Sequence, residues 1–231
     1  QKILYAEAFF TPLDHEPRGL EPGRLVQALR AGLARVPGVE VRLVADLGRD
    51  FGPLRGGRLL EQLAEIGTSE VIGIGLGGSE QTYPAQPFAP VYEQARRLGF
   101  RTTAHAGEAA GAGSVRAAVE ALRAERIGHG TRAVEDPAVV DLLAERKVPV
   151  ECCPVSNVRT AVIRRLEDHP LRTFLERGVA ASVNTDDPAM FDTSMEEELL
   201  ALRTRLGFSR ADVLRVLGKG ARERVVPFGA P

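Results

Sequence analysis

Seven short apolar segments alternate along the chain with stretches of helical periodicity, and this alternation limits the possible folds more than any other feature. Most of the segments are continuously apolar or small, and each ends in small, polar or acidic residues, as is typical of strands covered on both faces of a parallel sheet. The predicted strands are Lys2–Phe10, Val39–Leu47, Glu70–Gly78, Phe100–Glu108, Arg126–Gly130, Val148–Pro154 and Val179–Asp187. Strict alternation of strands and helices predicts an α/β protein whose sheet is either doubly wound or closed into a barrel.

The segments between the strands have the spacing of amphipathic helices. Asp136 followed by Pro137 predicts a helix start, since aspartate caps the first turn and proline favours the first helical position. Ser209 and Asp212 have the spacing of a capping box before the last helix. The predicted helices cover Leu25–Leu33, Leu59–Ile66, Pro90–Leu98, Val115–Leu122, Pro137–Ala144, Leu171–Leu175, Glu196–Leu206 and Asp212–Val225. No repeat or linker interrupts the pattern, so we expect one domain over residues 1–231.

Charge and composition exclude several classes of protein. The chain carries 30 basic and 31 acidic residues, a net charge of −1, and it lacks the basic block expected of a protein that binds nucleic acid or anionic membrane. No apolar run approaches the roughly 20 residues that span a bilayer. The adjacent cysteines Cys152 and Cys153 exclude a disulfide framework. We expect a soluble cytoplasmic protein with no signal peptide, no nucleic-acid partner and no membrane partner.

The amino terminus is unusual for a native start. The chain begins with Gln1 rather than methionine and enters the apolar run Ile3–Ala6 almost at once. A native start usually has a short polar lead-in, so we expect that upstream sequence is missing.

Polar residues follow the predicted strands at the point where each strand ends. In a (β/α) barrel the carboxyl ends of the strands form the rim on which catalytic residues lie. Acids and histidines from four strands at one rim are difficult to explain as core packing, so we expect an active site there. These residues are His105, Glu108, His129, Asn157, Asp186 and Asp187.

Each of these residues has a structural alternative when it is considered alone. His105 by itself is more typical of a hydrogen-bonded core histidine, but Glu108 three residues later adds a group that can carry protons. His129 lies between two glycines and could simply occupy a tight turn. Asp186 and Asp187 could cap a helix, although adjacent carboxylates repel each other and are best tolerated beside a cation.

The other unusual residues are assigned no chemistry. Cys152 and Cys153 are interpreted as small buried hydrophobes, because adjacent side chains on a strand point to opposite faces. His15 and His169 lie in proline-containing loops or helix starts. The glycines of Gly73–Gly78 lack the spacing of a dinucleotide loop and indicate a close approach of the backbone to some other group.

Taken together, these motifs resemble the adenosine deaminase family of zinc aminohydrolases. They follow one another in the family's order over nearly the whole chain, and the succession of HAGE, GHG and NTDDP is highly specific. The matching pieces are Tyr5–Glu7, Ile74–Glu80 (IGLGGSE), His105–Glu108 (HAGE), Arg126–Gly130 (RIGHG), Cys153–Asn157 (CPVSN) and Asn184–Pro188 (NTDDP).

The resemblance implies a TIM barrel that removes the 6-amino group of an adenine-type base. It implies that His105 and Asp186 bind zinc, and that Glu108 protonates purine N1 as the attacking hydroxide reaches C6. His129 would orient and stabilise that hydroxide. Two further positions, Asp187 and the backbone of Gly78, would hold purine N7 and N3.

The chain departs from the family pattern at its amino terminus. The family takes two more zinc ligands from an H-x-H pair on its first strand, whereas the histidines here are at positions 15, 105, 129 and 169. Seven strands are also one fewer than a barrel needs. We therefore expect that the first strand of the barrel is missing from this chain, and an alternative remains that the chain binds purine without turnover.

The resemblance also indicates the substrate class. The segments GIGLGGSE, GHG and NTDDPAMF are closer to deaminases of nucleosides than to deaminases of free adenine. Between adenosine and 6-aminodeoxyfutalosine, the segments GLGG and Asp168–Leu171 (DHPL) favour the latter. A metal-dependent hydrolase of the type that uses a lysine at the metal is disfavoured, because none of Lys2, Lys147 and Lys219 ends a central strand.

Overall fold

Seven parallel strands form one sheet in the order in which they occur along the chain. The computed structural model describes residues 2–222, with the side chains at positions 215 and 218–222 left out. The strands are β1 (Tyr5–Phe10), β2 (Glu40–Asp46), β3 (Val71–Gly75), β4 (Arg101–Ala106), β5 (Arg126–His129), β6 (Val150–Cys152) and β7 (Ala181–Val183). All seven predicted strands are confirmed, and each is shorter than the apolar segment that predicted it.

The strand order decides between the two folds that the alternation allowed. Each strand pairs in parallel with the next one, from β1–β2 through to β6–β7. A doubly wound sheet reverses its order at a switch point, whereas a barrel winds in one direction. The fold is therefore of the (β/α)8 barrel type with seven strands in this chain, as the sequence predicted.

Ten α-helices occur among the described residues. They are α1 (Pro22–Leu33), α2 (Gly52–Ile66), α3 (Ala89–Arg97), α4 (Ala112–Glu120), α5 (Pro137–Glu145), α6 (Pro154–Arg159), α7 (Leu171–Glu176), α8 (Pro188–Phe191), α9 (Met195–Thr204) and α10 (Arg210–Arg222). The predicted helices are confirmed, except that positions 223–225 of the last one lie outside the described residues. Helices α6 and α8, of six and four residues, were not predicted. Within the described chain, no helix has the length and apolarity needed to cross a bilayer.

Both predicted helix caps are confirmed. Asp136 Oδ1 accepts a hydrogen bond from the backbone N–H of Ala138 at 3.0 Å, and Pro137 takes the first position of α5. Ser209 Oγ accepts from the N–H of Asp212 at 3.1 Å, while Asp212 Oδ2 accepts from the N–H of Ser209 at 2.8 Å. This exchange satisfies backbone donors that a helix start would otherwise leave free.

The core lies between the sheet and the helices that cover it. Every residue of β3 is buried, and α2 buries Leu59, Leu60 and Leu63. The glycine run that begins within this strand allows the predicted close approach, since a Cβ at Gly73 would lie 2.8 Å from the carbonyl oxygen of Arg101. Because all strands run parallel, their carboxyl ends meet at one edge of the sheet, where the candidate site lies.

Candidate active site

Four of the predicted residues meet at the carboxyl edge of the sheet. His129 Nε2 lies 3.4 Å from Glu108 Oε2 and 4.0 Å from Asp186 Oδ2. The rings of His105 and His129 have centroids 5.1 Å apart, because the register of β4 and β5 sets Ala106 opposite His129. Two imidazoles from β4 and β5 and two carboxylates from the loops after β4 and β7 thus form one cluster.

Two members of the cluster have a left-handed backbone that only glycine adopts freely. His129 has φ 63° and Asp186 has φ 56°. Such conformations in other residues cost about 1–3 kcal/mol each, and surrounding contacts must hold them. For Asp186 one contact is Ser156, whose Oγ donates to Asp186 Oδ2 at 2.6 Å.

A buried polar network lies behind His129. Asn157 Nδ2 lies 3.1 Å from His129 Nδ1, and Asn157 Oδ1 accepts from Thr131 Oγ1 at 2.8 Å. His169 Nε2 lies 3.3 Å from the same Oδ1, and His169 Nδ1 accepts from the backbone N–H of Leu171 at 3.2 Å. The side chains of this network are almost completely buried, so its hydrogen bonds are shielded from competing water.

The loop that carries Glu108 is held by Glu80. The Glu80 carboxylate is buried and accepts four backbone N–H bonds, from Gly107 at 2.6 Å and from positions 108, 109 and 110 at 3.1, 2.7 and 3.0 Å. Hydrogen bonds to an ionised group are stronger than neutral ones. Glu80 therefore fixes the backbone from which the Glu108 side chain projects.

The loop after β3 places Gly78 beside the cluster. Asp50 accepts from the N–H and the hydroxyl of Ser79 at 2.8 and 2.5 Å. Gly78 has φ +97°, and a Cβ there would lie 2.0 Å from Asp50 Oδ2, so only glycine fits. Arg49, which follows β2, is buried and donates to the carbonyl oxygens of Leu76 at 3.1 Å and His105 at 2.7 Å, which ties the loop after β3 to β4.

An open cavity of about 730 Å³ lies in front of the cluster. Its size is within the range of about 300–1,000 Å³ that is usual for small-molecule sites. The lining includes Gly78 and Glu108, together with the polar side chains of Ser79, Gln81 and Arg132. Two predicted substrate-binding and catalytic positions thus share one cavity.

Burial shifts the pKa values of Glu108 and His129 in opposite directions. Desolvation raises the pKa of Glu108, and the charges of Asp186 and Glu80 raise it further against the opposing effect of His105. Burial lowers the pKa of His129 well below its usual value, aided by the neighbouring His105. The site therefore favours a protonated carboxyl beside a neutral imidazole.

Asp187 is exposed and follows Asp186 at the start of α8. Its side chain makes no capping hydrogen bond with that helix, so the capping alternative is not supported. Desolvation raises the pKa of Asp187, and the adjacent carboxylate of Asp186 raises it further.

The donor atoms of the cluster are of the types that zinc prefers. Ligand atoms of His129, Cys153 and Asp186 lie within 4.8 Å of one another. His105 Nδ1 is buried and, within the described part of the chain, has no hydrogen-bond partner. Imidazole nitrogen and carboxylate oxygen are both common zinc ligands. Burial raises the pKa of the Cys153 thiol, which makes it a poorer ligand than the imidazoles.

Several residues of the site were not identified from the sequence. Glu80 ends a motif that the resemblance singled out, but nothing in the sequence shows that it accepts four backbone bonds. His169 was assigned no chemistry, and Asn157 was placed at the rim without a role. Apart from the bond between His169 and the nearby Leu171, their partners are 12 to 30 residues away, so only the folded chain reveals these contacts.

Comparison with known proteins gives the family. The family model described as "Adenosine deaminase" matches residues 1–229. An adenosine deaminase from Erwinia tasmaniensis is 40% identical over 215 residues, which cover 90% of this chain and 63% of the relative. An adenine deaminase from Crocosphaera subtropica is 34% identical over 226 residues, 96% of this chain and 69% of the relative. The chain belongs to the adenosine deaminase family and spans about two thirds of these relatives' length.

Solved structures agree with this assignment. The adenine deaminase from Arthrobacter aurescens superposes with a TM-score of 0.90 at 33% identity, over 97% of this chain and 69% of that one. An amidohydrolase from Burkhoderia ambifaria with bound Zn superposes with a TM-score of 0.88 at 28% identity, over 97% and 64%. Both likenesses support the barrel-type fold.

The Glu80→Gln substitution tests how the Glu108 loop is held. The amide keeps one acceptor oxygen and turns a second acceptor into a donor that faces backbone donors. We expect the free energy of unfolding to fall by about 1.5–3 kcal/mol, as for the loss of a hydrogen bond to a charged group. We also expect faster hydrogen exchange at the amides of residues 107–110.

The control is Glu61→Gln, which neutralises an exposed glutamate of α2. It is expected to change the free energy of unfolding by less than about 0.5 kcal/mol. Equal exchange rates at residues 107–110 in Glu80→Gln and the unsubstituted chain would show that the carboxylate does not hold the loop.

Proposed function

We propose that this protein hydrolytically deaminates a 6-aminopurine nucleoside, giving the 6-oxo product and ammonia, with one zinc ion per complete active site. The observation that supports this most is the contact between Glu108 and His129, 3.4 Å apart beside Asp186. Family membership points to the same reaction. A proton-carrying carboxyl, a neutral imidazole and a metal-binding carboxylate are the groups that this hydrolysis requires.

The proposed substrates are adenosine and 6-aminodeoxyfutalosine. Both carry a group on the purine beyond the base, and the cavity offers polar side chains beyond Glu108 to receive it, namely Ser79, Gln81 and Arg132. The relatives include deaminases of adenosine and of adenine. A nucleoside extends beyond the base towards these side chains and free adenine does not, which favours a nucleoside.

Within this proposal His105 and Asp186 hold the zinc ion. Their donor types fit the metal, and the buried Nδ1 of His105 has no other partner within the described residues. When bound, zinc lowers the pKa of water to about 7 and so supplies a nucleophile near neutral pH. Among the described residues, the other ligand atoms grouped with that of Asp186 belong to His129 and Cys153.

Glu108 and His129 have separate roles in the proposed reaction. The raised pKa of Glu108 keeps a proton available, which its carboxyl gives to purine N1. His129, held neutral by burial, orients the attacking water through Nε2. A bond forms between the water oxygen and C6, and the C6–N6 bond breaks. Of the two water protons, one returns to the Glu108 carboxylate and the other joins the amino group, which leaves as ammonia.

Gly78 and Asp187 are proposed to hold the purine. The N–H of Gly78 is suited to donate to N3, since this glycine lines the cavity. Purine N7 is an acceptor, so Asp187 can bind it only as a protonated carboxyl, and the raised pKa of Asp187 favours that form.

Zinc content and ammonia release of the purified chain test this function. A complete active site is expected to hold one zinc ion by elemental analysis and to release ammonia from adenosine or 6-aminodeoxyfutalosine, and a chelator should abolish this release. Adenine is the comparison substrate and is expected to react more slowly. Purine binding without zinc or ammonia would contradict the proposal and favour the alternative of a catalytically incomplete binder.

The substitution Glu108→Gln tests the proton carrier. It keeps the shape of the side chain but removes the acid, so turnover should fall by about 10²–10⁴-fold. Zinc content should stay unchanged, since Glu108 is not a proposed ligand. Glu120→Gln, at the exposed end of α4, serves as the control. Turnover near that of the control would remove Glu108 from the mechanism.

Alanine substitutions separate the two adjacent aspartates. Asp186→Ala should lose zinc, because it removes a proposed ligand. Asp187→Ala should retain zinc and weaken purine binding and catalysis, because it removes the partner of N7. Elemental analysis and steady-state kinetics on both variants make the comparison. Zinc loss in Asp187→Ala with retention in Asp186→Ala would show that the two roles are reversed.

A further inference from the structure

The buried network behind His129 contains one hydrogen bond whose direction is fixed by the backbone. Leu171 is the first residue of α7, and its N–H belongs to the group of donors that a helix leaves free at its start. Leu171 is fully buried, and its N–H points at His169 Nδ1 at 3.2 Å. A backbone N–H can only donate, so His169 Nδ1 must be the acceptor and carries no proton.

This direction determines the protonation of the rest of the His169 ring. Burial lowers the pKa of His169 to about 3, so the imidazole is neutral and has one donor and one acceptor. Since Nδ1 accepts, the proton is on Nε2. That nitrogen lies 3.3 Å from Asn157 Oδ1 and donates to it.

The orientation of the Asn157 amide sets the direction of its hydrogen bond to His129. Its Oδ1 accepts from both His169 Nε2 and Thr131 Oγ1, so the amide is oriented with the oxygen on that side. The amide nitrogen then faces His129 Nδ1 at 3.1 Å and donates to it. His129 Nδ1 is therefore an acceptor and carries no proton, so the ring proton lies on Nε2.

The Nε2 of His129 is the atom that faces Glu108 and Asp186. We propose that His169 is a positioning residue, which through Asn157 fixes His129 in the tautomer whose Nε2–H points at the reacting centre. The inference rests on the proposed function for its consequence, although the tautomer itself can be measured without substrate. Nothing in the sequence pattern around His169 indicated this role.

The fixed tautomer matters because Glu108 is proposed to be protonated. A bare Nε2 would accept that proton in a hydrogen bond and make it unavailable to the purine. An Nε2–H instead donates to the attacking water and cannot compete for the acid. A wrong histidine tautomer in an otherwise intact site is known to be severe for turnover.

Histidine ¹⁵N NMR on the purified chain tests the tautomer directly. The chemical shifts of the two ring nitrogens, and their couplings to the ring protons, distinguish a protonated nitrogen from a bare one. The chain has four histidines, so single substitutions assign the signals, and His15→Gln serves as a spectral control. We expect protonated Nε2 and bare Nδ1 in both His129 and His169.

Two substitutions of His169 distinguish the effect of its hydrogen-bond donor from the effect of its size. His169→Phe removes the donor to Asn157 Oδ1, which lets the amide reverse, with Nδ2 toward Thr131 Oγ1 and Oδ1 accepting from a protonated His129 Nδ1. We expect a protonated Nδ1 signal from His129 and a loss of kcat of roughly 10–100-fold, as for other groups that orient a site residue from behind. His169→Gln keeps a donor near the position of the His169 Nε2. It should restore the Nε2–H signal of His129 and most of kcat.

Asn157→Asp gives a second test if the His169 variants do not fold. The carboxylate has the same shape but offers only acceptors, so His129 should acquire a proton on Nδ1. A bare Nδ1 in this variant, or a protonated Nδ1 in the unsubstituted chain, would overturn the inference. The correct tautomer in a chain that releases no ammonia would instead count against the proposed function alone.

Discussion

Consecutive parallel pairing of the strands is the constraint on which the rest of the structure depends. Since every strand pairs with its neighbour in sequence, all carboxyl ends lie at one edge. That edge gathers short loops from different parts of the chain, and each loop contributes one or two polar side chains. The middle of the sheet is covered on both faces, since every residue of β3 is buried, whereas the polar side chains of the site lie at the edge.

Buried polar contacts hold the loops of the site. Glu80 binds four backbone N–H groups of the Glu108 loop, and Arg49 binds the carbonyl oxygen of His105. Burying a charged group without hydrogen bonds is costly, so the Glu80 carboxylate restricts the loop to conformations that supply its N–H donors. The strained backbones of His129 and Asp186 are maintained within this framework.

Within the cluster, Glu108 is proposed to carry the proton and His129 to orient the water. Glu108 is open to the cavity, and desolvation favours its protonated form. His129 is buried and neutral, and its Nδ1 faces a network whose direction begins at a backbone N–H in α7. Glu108, which must release a proton, thus lies beside His129, whose proton stays on Nε2. Glu108 is the more solvent-accessible of the two side chains.

The sequence by itself determined the strands, most helices, two helix caps and the positions of His105, Glu108, His129 and Asp186 at the strand ends. Local periodicity and capping depend on neighbours in sequence, which explains this success. The tertiary structure alone decided the winding direction, the four bonds of Glu80 and the network of Asn157 and His169. These depend on contacts between distant segments, and hydrogen-bond direction in a buried network is set by the donors that surround it rather than by any local pattern.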